Sequence, residues 1–332
     1  MTRVLSGIQP TGDIHLGNYL GALRQWALDQ HEHDSFYCAV DLHAVTVQQD
    51  PQELRSKTIE TMATLVAVGL DPEVCTLFVQ SHVPYHTELS WLLECTVSFG
   101  ELRRMTQFKD KSTKQGDAGQ EHVSAGLFTY PALMAADILI YDADRVPVGD
   151  DQRQHLELTR DIAERFNSRY GDTLVLPSAA IPKIAARVMD LQEPTNKMSK
   201  STDSAAGSVG IFEDTSSIAK KFKRAVTDSD NEVLFDFDNK PGVSNLLSIL
   251  GAATDRDPEI LANDYDQYGP LKTDAADAVI SVLEPVQQRR SELLSDPAEL
   301  DRIIARGAEK ASEVAAQTVR RAKNAMGFLP LN

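Results

Sequence analysis

The feature that most constrains this chain is an alternation through its first half: short β-branched or aromatic runs are separated by stretches whose apolar residues recur at helical spacing. Arg3 to Ile8 has the character of a strand. After the turn Gln9-Pro10-Thr11-Gly12, residues Leu16, Tyr19, Leu20, Leu23 and Ala27 share one helical face, which predicts a helix from about His15 to His31. Phe36 to Val40 follows as a buried-type strand, Pro51 opens a helix that ends near Gly69, and Val74 to Val79 supplies a third strand. Further helices run to about Asp137, Ile138 to Tyr141 reads as a short strand, and Asp150 to Tyr170 as a helix closed by Gly171. Strands that alternate with helix-length segments are joined by crossovers and lie parallel, so the fold class is α/β with a parallel sheet.

From about Pro177 the texture changes. Gly207, Ser208 and Gly210 sit in a Ser/Ala/Gly-rich loop, and the remainder is mostly helical, which predicts a second, α-helical domain. Leu300, Ile303, Ile304, Ala308, Ala311 and Ala315 carry a helical stripe to the end of the chain, with Gly307 as the point where that stripe could break.

Charge narrows the partners. A net charge of −16 argues against general affinity for nucleic acid, because phosphate binding depends on Lys and Arg neutralising the backbone. Two basic islands stand out: Glu101 to Lys114 has five Lys/Arg against two acids, and Lys183 to Arg224 has eight against five. Within the second, Ile218 and Phe222 share a helical face while Lys220, Lys221, Lys223 and Arg224 surround it, either a solvated face or a phosphate contact. Apolar stretches such as Leu127 to Tyr141 are interrupted by Asp137 and fall short of the ~20 residues a membrane helix needs. The N-terminus breaks at Gly7 and Pro10, unlike a secretory leader, so the expected location is cytoplasmic. Cys38, Cys75 and Cys95 lie far apart and read as reduced core residues. The histidine pairs His31/His33 and His82/His86 lack the geometry of a metal site and read as structural.

Two segments carry chemistry. In S-G-I-Q-P-T-G-D-I-H-L-G-N, glycines 7, 12 and 17 surround a strand-to-helix turn of the kind that receives phosphate at a helix N-terminus. Neither a dinucleotide fingerprint nor a P-loop is present, and alone the stretch reads equally as a turn with structural glycines. Far downstream, Lys197-Met198-Ser199-Lys200-Ser201 places two lysines three apart among hydroxyls, suited to wrapping a triphosphate, or else a solvated loop. A third feature is Asp137 within M-A-A-D-I-L-I: a carboxylate in apolar surroundings is costly unless a partner satisfies it, although an aspartate ending a helix at a strand boundary reads as well from spacing.

Together these motifs make the chain resemble the class I aminoacyl-tRNA synthetases, whose paired signatures are H-x-G-H and K-M-S-K-S, and within them the bacterial tryptophanyl branch. The resemblance spans nearly the whole chain, including G-I-Q-P-T-G (7–12), D-L-H-A-V-T (41–46), T-Y-P-A-L-M-A-A-D-I-L (129–139), V-P-V-G-D-D-Q (146–152), A-V-T-D-S (225–229) and K-P-G-V-S-N-L-L (240–247). It implies a Rossmann-like (HUP-type) catalytic domain over residues 1–200 and an α-helical anticodon-binding domain over 201–332, with the last helices packing back on the first.

By the same resemblance, Gln9, Pro10, Thr11, His15, Gly17 and Asn18 line an ATP site, with Gly149, Asp150 and Asp151 around the ribose and Val188 meeting adenine through its backbone. Lys197, Met198, Ser199, Lys200 and Ser201 close over the pyrophosphate, and Lys111 reaches the phosphates from the other side; Lys197, Lys200 and Lys111 are the implied catalytic residues. Mg²⁺ is carried on the ATP phosphates with no protein metal site. One departure is Asn18, which stands where the signature has a second histidine; its amide can still donate. Asp137 is implied to take the indole N–H of L-tryptophan, beside Met134, with Tyr130, His43, Gln9 and Gln152 around the amino and carboxylate groups. Tyrosyl relatives generally carry glutamine where Met134 stands, which sets that rival aside. A coenzyme-precursor nucleotidyltransferase does not explain a helical half with K-M-S-K-S, and the intact lysine pair counts against a binding protein without catalysis. The implied partners are tRNA(Trp), read at its CCA anticodon and charged at the 2′-hydroxyl, and a second copy of the chain in a homodimer.

Overall fold

The computed structural model describes residues 2–106, 124–147, 149, 152–180, 188–199 and 206–330. Among them five strands form one parallel sheet: β1 (Arg3–Ile8), β2 (Asp34–Ala39), β3 (Thr76–Val79), β4 (Arg145–Pro147) and β5 (Ser178–Ala180), in the order β3-β2-β1-β4-β5. The alternation expected of a pleated strand is obeyed. Phe36, Cys38 and Phe78 enter the apolar core on one face, while Tyr37, Ala39, Leu77 and Val79 enter that on the other. This is a Rossmann-like arrangement, and chain order reverses direction between β1 and β4. At such a switch point the crossovers leave to opposite faces, and a crevice opens at the carboxyl ends of the strands.

Several elements depart from the sequence-based expectation. Ile138 to Tyr141 is not a strand: the helix Ala125–Leu139 continues through Ile138, a turn follows, and the strand beside β1 is Arg145–Pro147. The reason is that the end of the helix and the turn after it are enclosed on all sides, with Ile138, Leu139, Ile140 and Tyr141 all buried, so this apolar run carries no amphipathic period. The helix after β1 contains a π-helical turn at Tyr19–Leu23 between the α-helical segments Leu16–Asn18 and Arg24–Asp29. β5 was not anticipated. Cys95 is exposed rather than a core residue, since it follows the last turn of Tyr85–Glu94.

Beyond residue 206 the regular elements of the described chain are helices. Pro241–Thr254 and Tyr268–Ser295 pack on each other, and Leu246, Leu271 and Leu283 share one continuous apolar cluster with Leu16, Leu23 and Met62 of the sheet domain. The last helix, Pro297–Ala325, runs unbroken through Gly307. A Cβ there would lie 1.6 Å from the carbonyl oxygen of Leu77, so glycine marks not a break but the closest approach of the helix to β3. Small residues Ala311 and Ala315 extend that contact into the core.

Candidate active site

A cavity of about 340 Å³ opens at the switch point. Leu5, Ser6 and Gly7 of β1 and Val146 and Pro147 of β4 form its walls. Gly7 is small because a Cβ there would press to 2.8 Å from a methyl of Val40. The sequence-predicted residues Gln9, His43, Tyr130, Met134, Asp137 and Gln152 all line this cavity.

Asp137 is buried in its floor, inside the helix Ala125–Leu139 rather than at a helix-strand boundary. Its Oδ1 accepts from Gln80 Nε2 at 2.6 Å and from His86 Nδ1 at 2.7 Å, and its Oδ2 accepts from His43 Nε2 at 2.7 Å. The carboxylate is held by donors of the protein itself, and His86, read as structural, lies in the cavity wall and orients the carboxylate. Since a carboxylate only accepts, both imidazoles present N–H to it. Gln80 is fixed in turn, because its Oε1 accepts from the amide of Leu42 at 3.1 Å, and His86 Nε2 meets the Tyr141 hydroxyl at 2.7 Å. Burial pulls the Asp137 carboxyl upward, but the charge and hydrogen bonds of His43 and His86 outweigh it and hold it at about 2. The group is therefore ionised at neutral pH. A carboxylate has about four acceptor positions; the three donors found among the described residues leave room for one more, on the Oδ2 side.

The other cavity residues sort by polarity. The Tyr130 hydroxyl lies 2.8 Å from His155 Nε2, and burial pushes it up to about 12, so it stays protonated. Its ring stands edge-on to His43, centroids 6.2 Å apart. Met134 contributes apolar surface, and burial drives the Cys38 thiol well above its usual value, leaving it a small apolar wall group. Gln80, His86, Cys38 and His155 were missed by sequence reasoning. A signal existed for the first two: they follow β3, at the end of the sheet where ligands bind.

The first nucleotide-type motif leads away from this cavity, which its residue Gln9 lines. Gly12 has φ +66°, which turns the chain after Gln9-Pro10-Thr11. His15 and Asn18 cap the following helix reciprocally: Asn18 N–H donates to His15 Nδ1 at 3.3 Å, and His15 N–H donates to Asn18 Oδ1 at 3.2 Å. His15 Nδ1 is therefore an acceptor, and the amide of Asn18 is oriented. Gly17 leaves room for the His15 ring, which a Cβ would approach to 3.0 Å. Val188 packs over Gly17 and accepts at its carbonyl from Met198 N–H at 3.1 Å, so the lysine loop begins at an antiparallel bridge to 188–190. Met198 is buried, Lys197 exposed and Ser199 between the two, so methionine anchors the segment while the first lysine projects. Gly149 is exposed and accepts from Gln152 N–H. Lys111, Asp150, Asp151, Lys200 and Ser201 lie outside the described residues.

Of the basic island, Ile218 and Phe222 are fully buried, Lys221 is tied inward to Glu213 and the Ser208 carbonyl at 2.6 Å each, and Lys220, Lys223 and Arg224 face solvent. No helix among the described residues is long and apolar enough to cross a membrane.

Comparison with known proteins shows the family of the chain. The family model described as tRNA synthetases class I (W and Y) matches residues 1–284. Tryptophan--tRNA ligase 2 of Streptomyces avermitilis is 54% identical over 331 residues, covering 99% of this chain and 97% of its own. Among solved structures, the tryptophanyl-tRNA synthetase of Mycoplasma pneumoniae superposes with a TM-score of 0.91 at 37% identity, covering 99% of this chain and 98% of its own. That of Campylobacter jejuni, solved with ADP and tryptophan, gives 0.83 at 33% identity, covering 98% and 100%.

Proposed function

The chain belongs to the class I tRNA synthetases of the tryptophan and tyrosine group, and from that premise we propose that it is a tryptophan–tRNA ligase whose amino-acid site is the cavity around Asp137. The observation that carries the choice of amino acid is the ionised, enclosed carboxylate with one acceptor position left, a match for an indole N–H, which offers one donor and no acceptor. A phenol hydroxyl also seeks a donor, and Met134 supplies none. Gln9, Tyr130 and Gln152 take the amino and carboxylate ends of the substrate, whereas His43, expected with them, is bonded to Asp137 and stands at the indole end.

ATP lies along Gln9, Pro10, Thr11, His15, Gly17 and Asn18, with adenine against the backbone of Val188 and ribose near Gly149, Asp150 and Asp151. Mg²⁺ arrives with the substrate on its phosphates. A tryptophan carboxylate oxygen attacks the α-phosphorus in line, and the bond from that phosphorus to the bridging oxygen breaks, releasing pyrophosphate. No general base is required, because the attacking carboxylate is already ionised at neutral pH. Lys197, Lys200 and Lys111 stabilise the charge that develops on the phosphates, with Met198, Ser199 and Ser201 shaping the loop. The terminal ribose 2′-hydroxyl of tRNA(Trp) then attacks the adenylate carbonyl and AMP leaves.

The catalytic domain spans 1–200 and the helical anticodon-reading domain 201–332, and the solvent exposure of Lys220, Lys223 and Arg224 supports phosphate contact there. A second copy of the chain covers exposed apolar side chains that include Val45 and Trp91, which line one depression, and Phe99, whose ring lies tilted against that of Phe128 with centroids 4.9 Å apart. The enzyme acts in the cytoplasm. The deciding assay is exchange of labelled pyrophosphate into ATP, run with tryptophan, with tyrosine and with no amino acid. Exchange with tryptophan alone is expected; exchange with tyrosine, or none with either, overturns the proposal.

A further inference from the structure

We propose that Asn245, on the helix Pro241–Thr254, is a positioning residue for Lys197 and so links the helical domain to ATP activation. The segments Val188–Asp190 and Asn196–Met198 run antiparallel: Met198 N–H donates to the Val188 carbonyl at 3.1 Å, Asp190 N–H donates to the Asn196 carbonyl at 2.8 Å, and Met189 stands opposite Lys197. In such a ladder the residue between two bonded positions turns its own N–H and C=O to the other side. There Asn245 meets both: Met189 N–H donates to Asn245 Oδ1 at 2.8 Å, and Asn245 Nδ2 donates to the Met189 carbonyl at 2.9 Å. One side chain thus acts as the third strand of a small ladder. Asn245 is 1% exposed, and its helix is seated by the fully buried Val243, Leu246, Leu247 and Ile249, so the anchor is stiff. Val188, one residue before Met189, rests over Gly17, so the same clamp sets the spacing between that contact and Lys197.

A shift of about 1 Å in a catalytic group costs on the order of 100-fold. Asn245→Asp keeps an acceptor for Met189 N–H but turns an anionic oxygen toward the Met189 carbonyl. It is expected to lower kcat/KM for ATP in pyrophosphate exchange by about 10- to 100-fold, while tryptophan binding measured by calorimetry without ATP stays unchanged. Because the effect runs through Lys197, it is expected to add little in a Lys197→Ala background. Full exchange activity, an equal loss of tryptophan affinity, or full additivity with Lys197→Ala overturns the proposal. If Asn245→Asp does not fold, Asn245→Gln, which keeps both groups on a longer stem, is read by the same criteria. The proposal rests on Lys197 facing the ATP phosphates. If Lys197→Ala alone leaves exchange intact, that reading of the loop fails; if Lys197→Ala impairs exchange and the Asn245 variants do not, only the present proposal fails.

Discussion

Replacing Asp137 by asparagine changes one atom type and tests the site most directly. Oδ1 receives two protein donors and Oδ2 one, so the amide oxygen takes the Oδ1 place, facing Gln80 and His86. Its NH₂ then points at His43 and at the position left for the substrate. A donor now confronts the indole N–H, where an ionised acceptor stood. A hydrogen bond to a charged group contributes about 1.5–3 kcal/mol, which corresponds to about 10- to 150-fold, and facing donors add to the loss. The expected fall in kcat/KM for tryptophan is therefore on the order of 100-fold or more. The assay is tryptophan-dependent pyrophosphate exchange, repeated with the benzothiophene analogue, in which sulfur replaces the ring N–H. Wild type is expected to reject this analogue by a similar factor, because its carboxylate is left without that donor, and the variant to lose the discrimination. A variant that activates tryptophan at the wild-type rate, or that still rejects the analogue as strongly, refutes the reasoning.

Lys200→Ala is expected to lower activation by roughly 10²–10³, as for loss of one preorganised donor, and unchanged pyrophosphate exchange removes its role. The Asp137 carboxyl titrates at about 2 against an ordinary 3.8, so its stabilisation, roughly 2 kcal/mol, is present above the unfolded value and lost as pH falls through about 2. Urea unfolding of Asp137→Asn between pH 4 and pH 2 is then expected to show a shallower acid dependence than wild type; parallel curves contradict this. Gly307→Ala sets a Cβ against the Leu77 carbonyl and is expected to cost about 3 kcal/mol, a fall of several degrees in Tm by calorimetry. Trp91→Glu places a charge among the exposed apolar side chains and is expected to yield monomers in sedimentation, whereas an unaltered species locates the contact elsewhere.

Much of the frame was legible in the chain itself. The parallel sheet followed from strand-like and helical periods alternating at short range, and the two lysine and histidine signatures followed from residue type and spacing. All six residues expected around the amino acid line one cavity. Local pattern failed where burial was complete. Ile138 to Tyr141 reads alike as strand or helix because an element enclosed on every side loses its period, and Gly307 reads as a break because close approach to a distant backbone has no local mark.

What the sequence determined, then, is whatever depends on neighbours along the chain: strand and helix periods, the His15–Asn18 cap, the lysine spacing and the presence of a carboxylate in an apolar run. Tertiary structure alone decided which donors that carboxylate meets. Gln80 and His86 lie 57 and 51 residues from Asp137, and Asn245 lies 56 from Met189. Such pairs are selected by the demand that every buried polar group find a partner, a condition on three-dimensional neighbours that no linear spacing encodes.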